Sequence, residues 1–275
     1  MQKLVRRATK VYREEGLGPT IRKSAQFIPR YVRHVAGANG LYCTPYYRRF
    51  LIRWNSRGYA TIADPFKIIT INPNKITRVT GRGPNPGRFQ WQDIGKIQDS
   101  DWDQNDERVE NLPVVRALRQ RFEHGEDWKE IDFIDHVLQE ITRGNVIWRE
   151  CASEQDVWAE CSRIDDLYKN IRESGYRSQQ KLVEEGKKSP DKYCDGDRFN
   201  CYDEVAVDIG REGEFLFVDG RHRLAIAKIL DLDEIPVRVS ARHEAWQQVR
   251  ERTADTASNN LESRLNHPDL VDISP

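Results

Sequence analysis

Apolar positions recur along this chain with two different periods, and the changes of period mark out its elements. Residues 66–71, FKIITI, are aromatic and β-branched and predict a strand. Asn72-Pro73-Asn74 then predicts a turn, and residues 75–79 a second strand. The period becomes helical at 112–123, through Leu112, Val115, Leu118 and Phe122. It is helical again at 130–142, through Ile131, Ile134, Val137 and Ile141, with Gly144 as the C-terminal cap. A third helix is expected over 154–174, where Val157, Cys161, Ile164, Leu167 and Ile171 share a face and Gly175 ends the run. Residues 186–198 read as loop. Alternation then returns in EVAVDI at 204–209 and in 214–218, with Arg211-Glu212-Gly213 as the hairpin turn between them. A helix over 221–230, a link over 231–234 and a strand over 235–239 follow, with Pro236 near the start of that strand. The chain becomes polar after Trp246, and residues 251–275 are expected to form a mobile tail.

The first sixty residues follow a different pattern. Over 3–15, Leu4, Val5, Ala8, Val11 and Tyr12 form one helical face and Lys3, Arg6, Arg7, Lys10 and Arg13 the other. Basic and aromatic residues continue through Tyr46, Tyr47, Arg48, Arg49, Arg53 and Trp54. Overall the 44 Lys and Arg balance the 44 Asp and Glu, but the balance is uneven. Residues 1–98 carry 19 basic and 4 acidic side chains, a surplus of 15, which the remainder cancels. Three partners fit such an arm, over residues 3–57: the acidic half of the same chain, an anionic membrane surface, or nucleic acid.

Other features narrow the picture. No apolar run is long enough to span a bilayer, and five scattered cysteines without a CxxC pair read as reduced thiols, so a cytoplasmic protein is expected. Of the cysteines, only Cys194 and Cys201 are close enough in sequence to suggest a pair. In DSDWDQNDERVE, Asp99, Asp101, Asp103 and Glu110 occupy the first, third, fifth and twelfth positions of a calcium loop. Gln104 stands where the sharp turn requires glycine, so the expectation is an acidic turn anchored by Trp102.

The densest chemistry lies in FLFVDGRHRLAIAKIL, residues 215–230. A helix start leaves backbone N–H groups without partners and carries about half a positive charge. Arg221, His222 and Arg223 add to that charge, and a phosphate chain docked there would offset it. Gly220 permits close backbone approach, and Asp219 is placed to hold a metal or take a proton. Arg221 and Arg223 are two residues apart, so spacing alone does not require both to face one site.

Residues 163–239 resemble the ParB/sulfiredoxin superfamily. The likeness rests on the turn Ile171-Arg172-Glu173-Ser174-Gly175-Tyr176, the motif Asp219-Gly220-Arg221-His222-Arg223, the alanine-rich helix and Ile235-Pro236-Val237. It covers about a third of the chain. Sulfiredoxins carry a nucleophilic cysteine where this chain has Arg221, so that activity is not implied. Partition ParB proteins follow the motif with a DNA-binding region for which the residues after Val239 are too few and too polar. The free-serine kinases of the superfamily carry a motif close to Asp-Gly-His-His-Arg, matched here by Asp219, Gly220, His222 and Arg223. That likeness implies phosphate contacts from Gly220, His222 and Arg223, metal binding or catalysis by Asp219, and an upstream acidic base, for which Glu204 and Asp208 are the candidates. Arg221 departs from the pattern. Residues 99–182 also resemble, more loosely, the helical region that precedes a ParB-like domain in some archaeal proteins, a likeness that implies no reaction.

The expected architecture is therefore α+β. A basic helical arm with a small β segment (1–90) precedes a helical region (91–160), a ParB/sulfiredoxin-like domain (161–245) and a polar tail (246–275). The expected function is binding of a nucleotide (ATP, ADP or CTP, with Mg²⁺) through Gly220–Arg223. Phosphoryl transfer, or nucleotide hydrolysis, with Asp219 and Glu204 in catalytic roles would follow. The alternative is a nucleic-acid-binding module that uses the basic N-terminal half.

Overall fold

The computed structural model describes Trp54 and residues 58–64, 67–82, 95–186, 203–255 and 267–273. The chain divides into two compact units, residues 1–48 and 49–275, and all described residues belong to the second. The expected division near residue 90 is not found, because strands on either side of it hydrogen-bond into one sheet. The basic face of 3–15 and the Cys194–Cys201 pair lie outside the described residues.

The sheet is mixed. Its strands are β1 (Ile68–Ile71), β2 (Arg78–Val79), β3 (Lys96–Gln98), β4 (Val205–Ile209), β5 (Phe215–Asp219) and β6 (Ile235–His243). The order is β1-β6-β4-β5-β2, with β3 also paired to β6. β4 and β6 are parallel neighbours at the centre. Every residue of β4 is buried, as expected of a strand covered on both faces. β1 runs antiparallel along the first half of β6, and β3 runs parallel along its second half. The expected second strand over 75–79 narrows to Arg78–Val79, because Asn72 caps a 3₁₀ turn at Pro73–Lys75 through its side chain.

The helices follow the apolar periodicity: α1 (Pro113–Phe122), α2 (Asp132–Thr142), α3 (Glu154–Ser174), α4 (Gln179–Glu184), α5 (Arg221–Ile229) and α6 (Glu244–Asp255). Ser153 and Asp156 form a reciprocal capping box at the start of α3. α1 and α3 pack on α5, and Val115, Leu118 and Ile164 meet Leu224 and Ala227 in one apolar core with Val207 and Phe217 of the sheet. The fold is α+β, and no described helix is long and apolar enough to cross a membrane.

Two expectations for the C-terminal part are corrected. β6 runs on past Val239 to His243, although Ser240, Arg242 and His243 are polar, because partners brought by other segments bury them. Residues 244–255 are helical, and Asp269 and Leu270 within 267–273 are buried. Asp269 is fully buried and accepts from Arg242 Nε at 2.9 Å, from Trp246 Nε1 at 3.0 Å and from Arg250 through its main-chain carbonyl. The two arginines and the indole draw a polar stretch into the interior, since a buried charge is costly unless it is paired and hydrogen-bonded.

The acidic loop is also settled. Arg211 on the β4–β5 turn donates to Asp103 Oδ2 at 2.8 Å and to Asp101 Oδ1 at 2.7 Å, and Trp102 is buried beneath. An arginine therefore holds carboxylates that a calcium ion would need.

Candidate functional site

The motif at 219–223 forms the junction from β5 to α5. Gly220 is the N-cap residue in the left-handed region (φ 91°), and no side chain caps the helix. A Cβ there would stand 3.0 Å from Val205 Cα, so glycine is what lets the helix start close against the start of β4. That approach brings Asp203 and Glu204 beside the motif. Asp219 accepts from the Gly220 N–H at 2.7 Å through Oδ1. The Leu224 N–H donates to Gly220 O at 3.0 Å.

The cationic triplet divides three ways. Arg221 is exposed. His222 is buried, and its Nε2 accepts from Trp148 Nε1 at 3.4 Å, which puts the imidazole proton on Nδ1. Burial, and then Arg149, Arg163, Arg221 and Arg223, hold its pKa well below the ordinary histidine value. It is a neutral core residue, not the third cation of a grip. Arg223 donates to the Asp203 carbonyl and reaches Asp203 Oδ2 at 3.4 Å.

Glu204 is 2% exposed. Its Oε1 accepts from the Gln179 N–H at 2.5 Å, and Oε2 is closed off from solvent. Burial raises its pKa to about 7; Arg223 and the Gln179 N–H oppose the rise, Asp203 adds to it and Arg238 opposes it. A carboxyl that titrates near neutrality beside arginine is suited to take and return a proton. Tyr176 adjoins it; burial raises the phenol pKa, Arg223 opposes that, and Glu204, Asp203 and a side-chain hydrogen bond with Glu204 add to the rise. Gln179 Oε1 is likewise buried without a hydrogen-bond partner.

Asp208, the other candidate base, is committed elsewhere. It accepts from Thr80 Oγ1 at 2.7 Å, Arg82 Nε at 2.7 Å and the Ala241 N–H at 2.9 Å. The structure thus joins Asp219, Gly220, Arg223 and Glu204, leaves Arg221 at the rim, and turns His222 inward.

Three contributors are not apparent from the motif. Arg238 is buried on β6, and burial lowers its pKa to about 10 against the opposing influence of Asp203 and Asp219. A charge inside the apolar run IPVRV was the available signal. Trp148, Arg149 and Glu150 form a left-handed turn (φ 43°, 59° and 65°), a backbone region that costs about 1–2 kcal/mol per non-glycine residue. Glu160, also buried, joins Arg149 (2.9 Å) to Arg163 (2.7 Å) behind His222. Nothing in local periodicity marks those positions.

Among the described residues no group of three or more His, Cys, Asp or Glu side chains forms a metal cage. Magnesium in nucleotide sites takes one or two carboxylates and completes its shell with phosphates and water. Asp219 fits that role only as a single ligand. No family model matches the chain, and neither a curated protein nor a solved structure is similar to it.

Proposed function

We propose that residues 163–239 form a ParB/sulfiredoxin-like unit that binds the phosphates of a nucleotide at the start of α5, with Glu204 as general base for phosphoryl transfer. The observation that carries this reading is the pairing of Gly220 with Glu204. One is a left-handed helix start with no side-chain cap, and the other a buried carboxyl whose pKa burial raises to about 7. Arg221 at the rim and Arg223 beside Asp203 supply positive charge to phosphate oxygens. His222 supports the helix start from within. A magnesium ion would arrive with the nucleotide, with Asp219 as its protein ligand, and would neutralise phosphate charge.

Isothermal titration with Mg·ATP, Mg·ADP and Mg·CTP tests the reading. At least one should bind, and Arg221→Ala should weaken it about 10-fold, the loss of one charge-assisted contact worth about 1.4 kcal/mol. Absence of heat with all three, or equal binding by Arg221→Ala and Arg223→Ala, would remove it.

A further inference from the structure

Residues 267–273, HPDLVDI, form no strand, and side chains anchor them to the fold. Asp269 is held by Arg242 on β6 and by Trp246 and Arg250 on α6, Asp272 meets Lys67 Nζ at 2.9 Å, and Leu270 is fully buried. Among these anchors only the imidazole of His267 belongs to a residue type that ordinarily changes charge between pH 5 and 8. The ring stacks on Phe215 with centroids 4.9 Å apart and meets Trp246 edge-on at 4.5 Å. Its Nδ1 accepts from the Asp269 N–H at 3.1 Å, so the proton sits on Nε2, which donates to Gly213 O at 3.0 Å. The main chain thus engages both nitrogens in roles that only the neutral ring fills. A second proton, on Nδ1, would set donor against donor at the Asp269 N–H. Burial lowers the pKa of the ring; Asp269 and the Gly213 carbonyl oppose this, while Lys75 from the 3₁₀ turn and Arg242 from β6 add to it. On α6, Arg250 faces the segment through Asp269 and Asp272.

We propose that residues 267–273 are a latch opened by acid: protonation of His267 at Nδ1 breaks its bond with the Asp269 N–H and frees the segment from β6, α6 and the β4–β5 turn while the sheet stays folded. Because the ring is held neutral in the docked state, docking is at full strength above about pH 6.5 and weakens as the pH falls below it. Asp269 does not open the latch first, since Arg242, Arg250 and Trp246 keep its carboxyl far below the usual range. Release uncovers Phe215, Trp246, Arg242 and Arg250, an aromatic and cationic face that the docked segment covers. That face lies at the opposite end of β5 from Gly220, so the latch is independent of the nucleotide reading.

Hydrogen–deuterium exchange of the full chain from pH 7.5 to 5, corrected for the intrinsic pH dependence of amide exchange, tests the latch. The amides of Asp269, Leu270 and Ile273, bonded to His267 Nδ1, His267 O and Leu270 O, report the segment, and those of β4 report the sheet. Segment amides should be less protected than β4 at every pH, the mark of an opening that leaves the sheet folded. Their protection should fall about 5-fold towards pH 5, the worth of one net hydrogen bond. Histidine NMR of the same chain should place the His267 midpoint below pH 6.5, together with that fall. His267→Gln, whose amide can still donate to Gly213 O but takes up no proton, should hold segment protection constant with pH relative to β4. Equal protection of segment and β4 would mean that the segment leaves only when the whole chain unfolds, and overturns the proposal. Wild-type segment protection that does not change with pH overturns it too, as does a fall that persists in His267→Gln. If His267→Gln never docks, the wild type decides alone: a ring that titrates apart from the segment amides overturns the latch, and a shared midpoint upholds it.

Discussion

Trp148 donates its indole N–H to His222 Nε2 across 3.4 Å, and both partners belong to strained or charged surroundings. The tryptophan sits on the left-handed turn 148–150, and the histidine lies between Arg221 and Arg223 with Arg149 and Arg163 near. A protonated imidazole would lose the indole bond and face four cations.

The first prediction concerns that ring. The folded pKa of His222 is depressed, so below about pH 6.5 the unfolded chain takes up a proton that the folded chain refuses. Stability from this group is present above pH 6.5 and declines as the pH falls. His222→Leu should be less stable at pH 7 by about 1–3 kcal/mol, because the indole N–H loses its acceptor. The gap should narrow towards pH 5. Urea midpoints at half-unit intervals check this, and a gap that stays constant with pH would refute a neutral His222.

Glu204 behaves in the opposite direction. Its folded pKa is raised from 4.5 to about 7, so between those values the folded chain holds a proton that the unfolded chain has lost. Its contribution is complete below pH 4.5, falls as the pH rises to 7, and stays lost above. The loss amounts to about 3 kcal/mol at most by proton linkage. Glu204→Gln should therefore be more stable than wild type at pH 8 and indistinguishable near pH 4. If the wild-type and variant curves run parallel from pH 5 to 8, Glu204 is an ordinary carboxylate and loses its role as base.

Gly220→Ala is the third prediction. The φ of 91° is unfavourable to alanine, and the added Cβ would meet main chain, Val205 Cα at 3.0 Å, which cannot swing aside. About 1–3 kcal/mol of stability should be lost. Nucleotide affinity should drop with it, because the strand and helix starts are pushed apart. Gly144→Ala serves as a comparison: its φ is also positive, at 84°, but no atom lies within 4 Å of its Cβ, so only the backbone term remains. Equal losses at both positions would mean that the contact with Val205 contributes nothing.

Much of this architecture is legible in the amino-acid pattern. The helix at 154–174 needs only its apolar face, Ser153 and Gly175, all local signals. Hairpin 205–219 and helix 221–229 are equally local. What escapes is whatever depends on a partner distant in the chain. β3 has three residues and no periodicity of its own; it is a strand because Ala241–His243 offer it an edge. Arg242 and His243 carry no strand signal of their own until Asp269 and the Ser100 carbonyl are placed beside them. In the site, Glu204 is visible as an acid at a strand start. Tyr176, Gln179 and Arg238 are not, since only the closed fold gathers them. The inward turn of His222 likewise depends on Trp148, 74 residues away.

The fourth prediction follows from the most distant of those partnerships. Arg242 and Arg250 are both buried, and Asp269, which is fully enclosed, is a partner of each. These arginines and Trp246 Nε1 hold the Asp269 carboxyl far below the usual carboxylate range against the pull of burial. A depressed folded pKa gives stability that is present above pH 4 and lost as acid titrates the folded carboxylate. Asp269→Asn keeps the shape but strips the charge, and leaves two guanidinium groups in the interior with reduced compensation. Breaking one side of such an arrangement costs about 3–5 kcal/mol. Asp272, which reaches Arg250 Nη2 at 3.1 Å and is partly exposed, should cost much less when changed to Asn. Truncation after Asp255 removes both acids, and should destabilise the chain at least as much as Asp269→Asn. Urea unfolding of the two variants and the truncated chain at pH 7 decides the matter. A truncated chain as stable as wild type would restore the polar tail to the surface and undo the account of β6 as a strand that extends to His243.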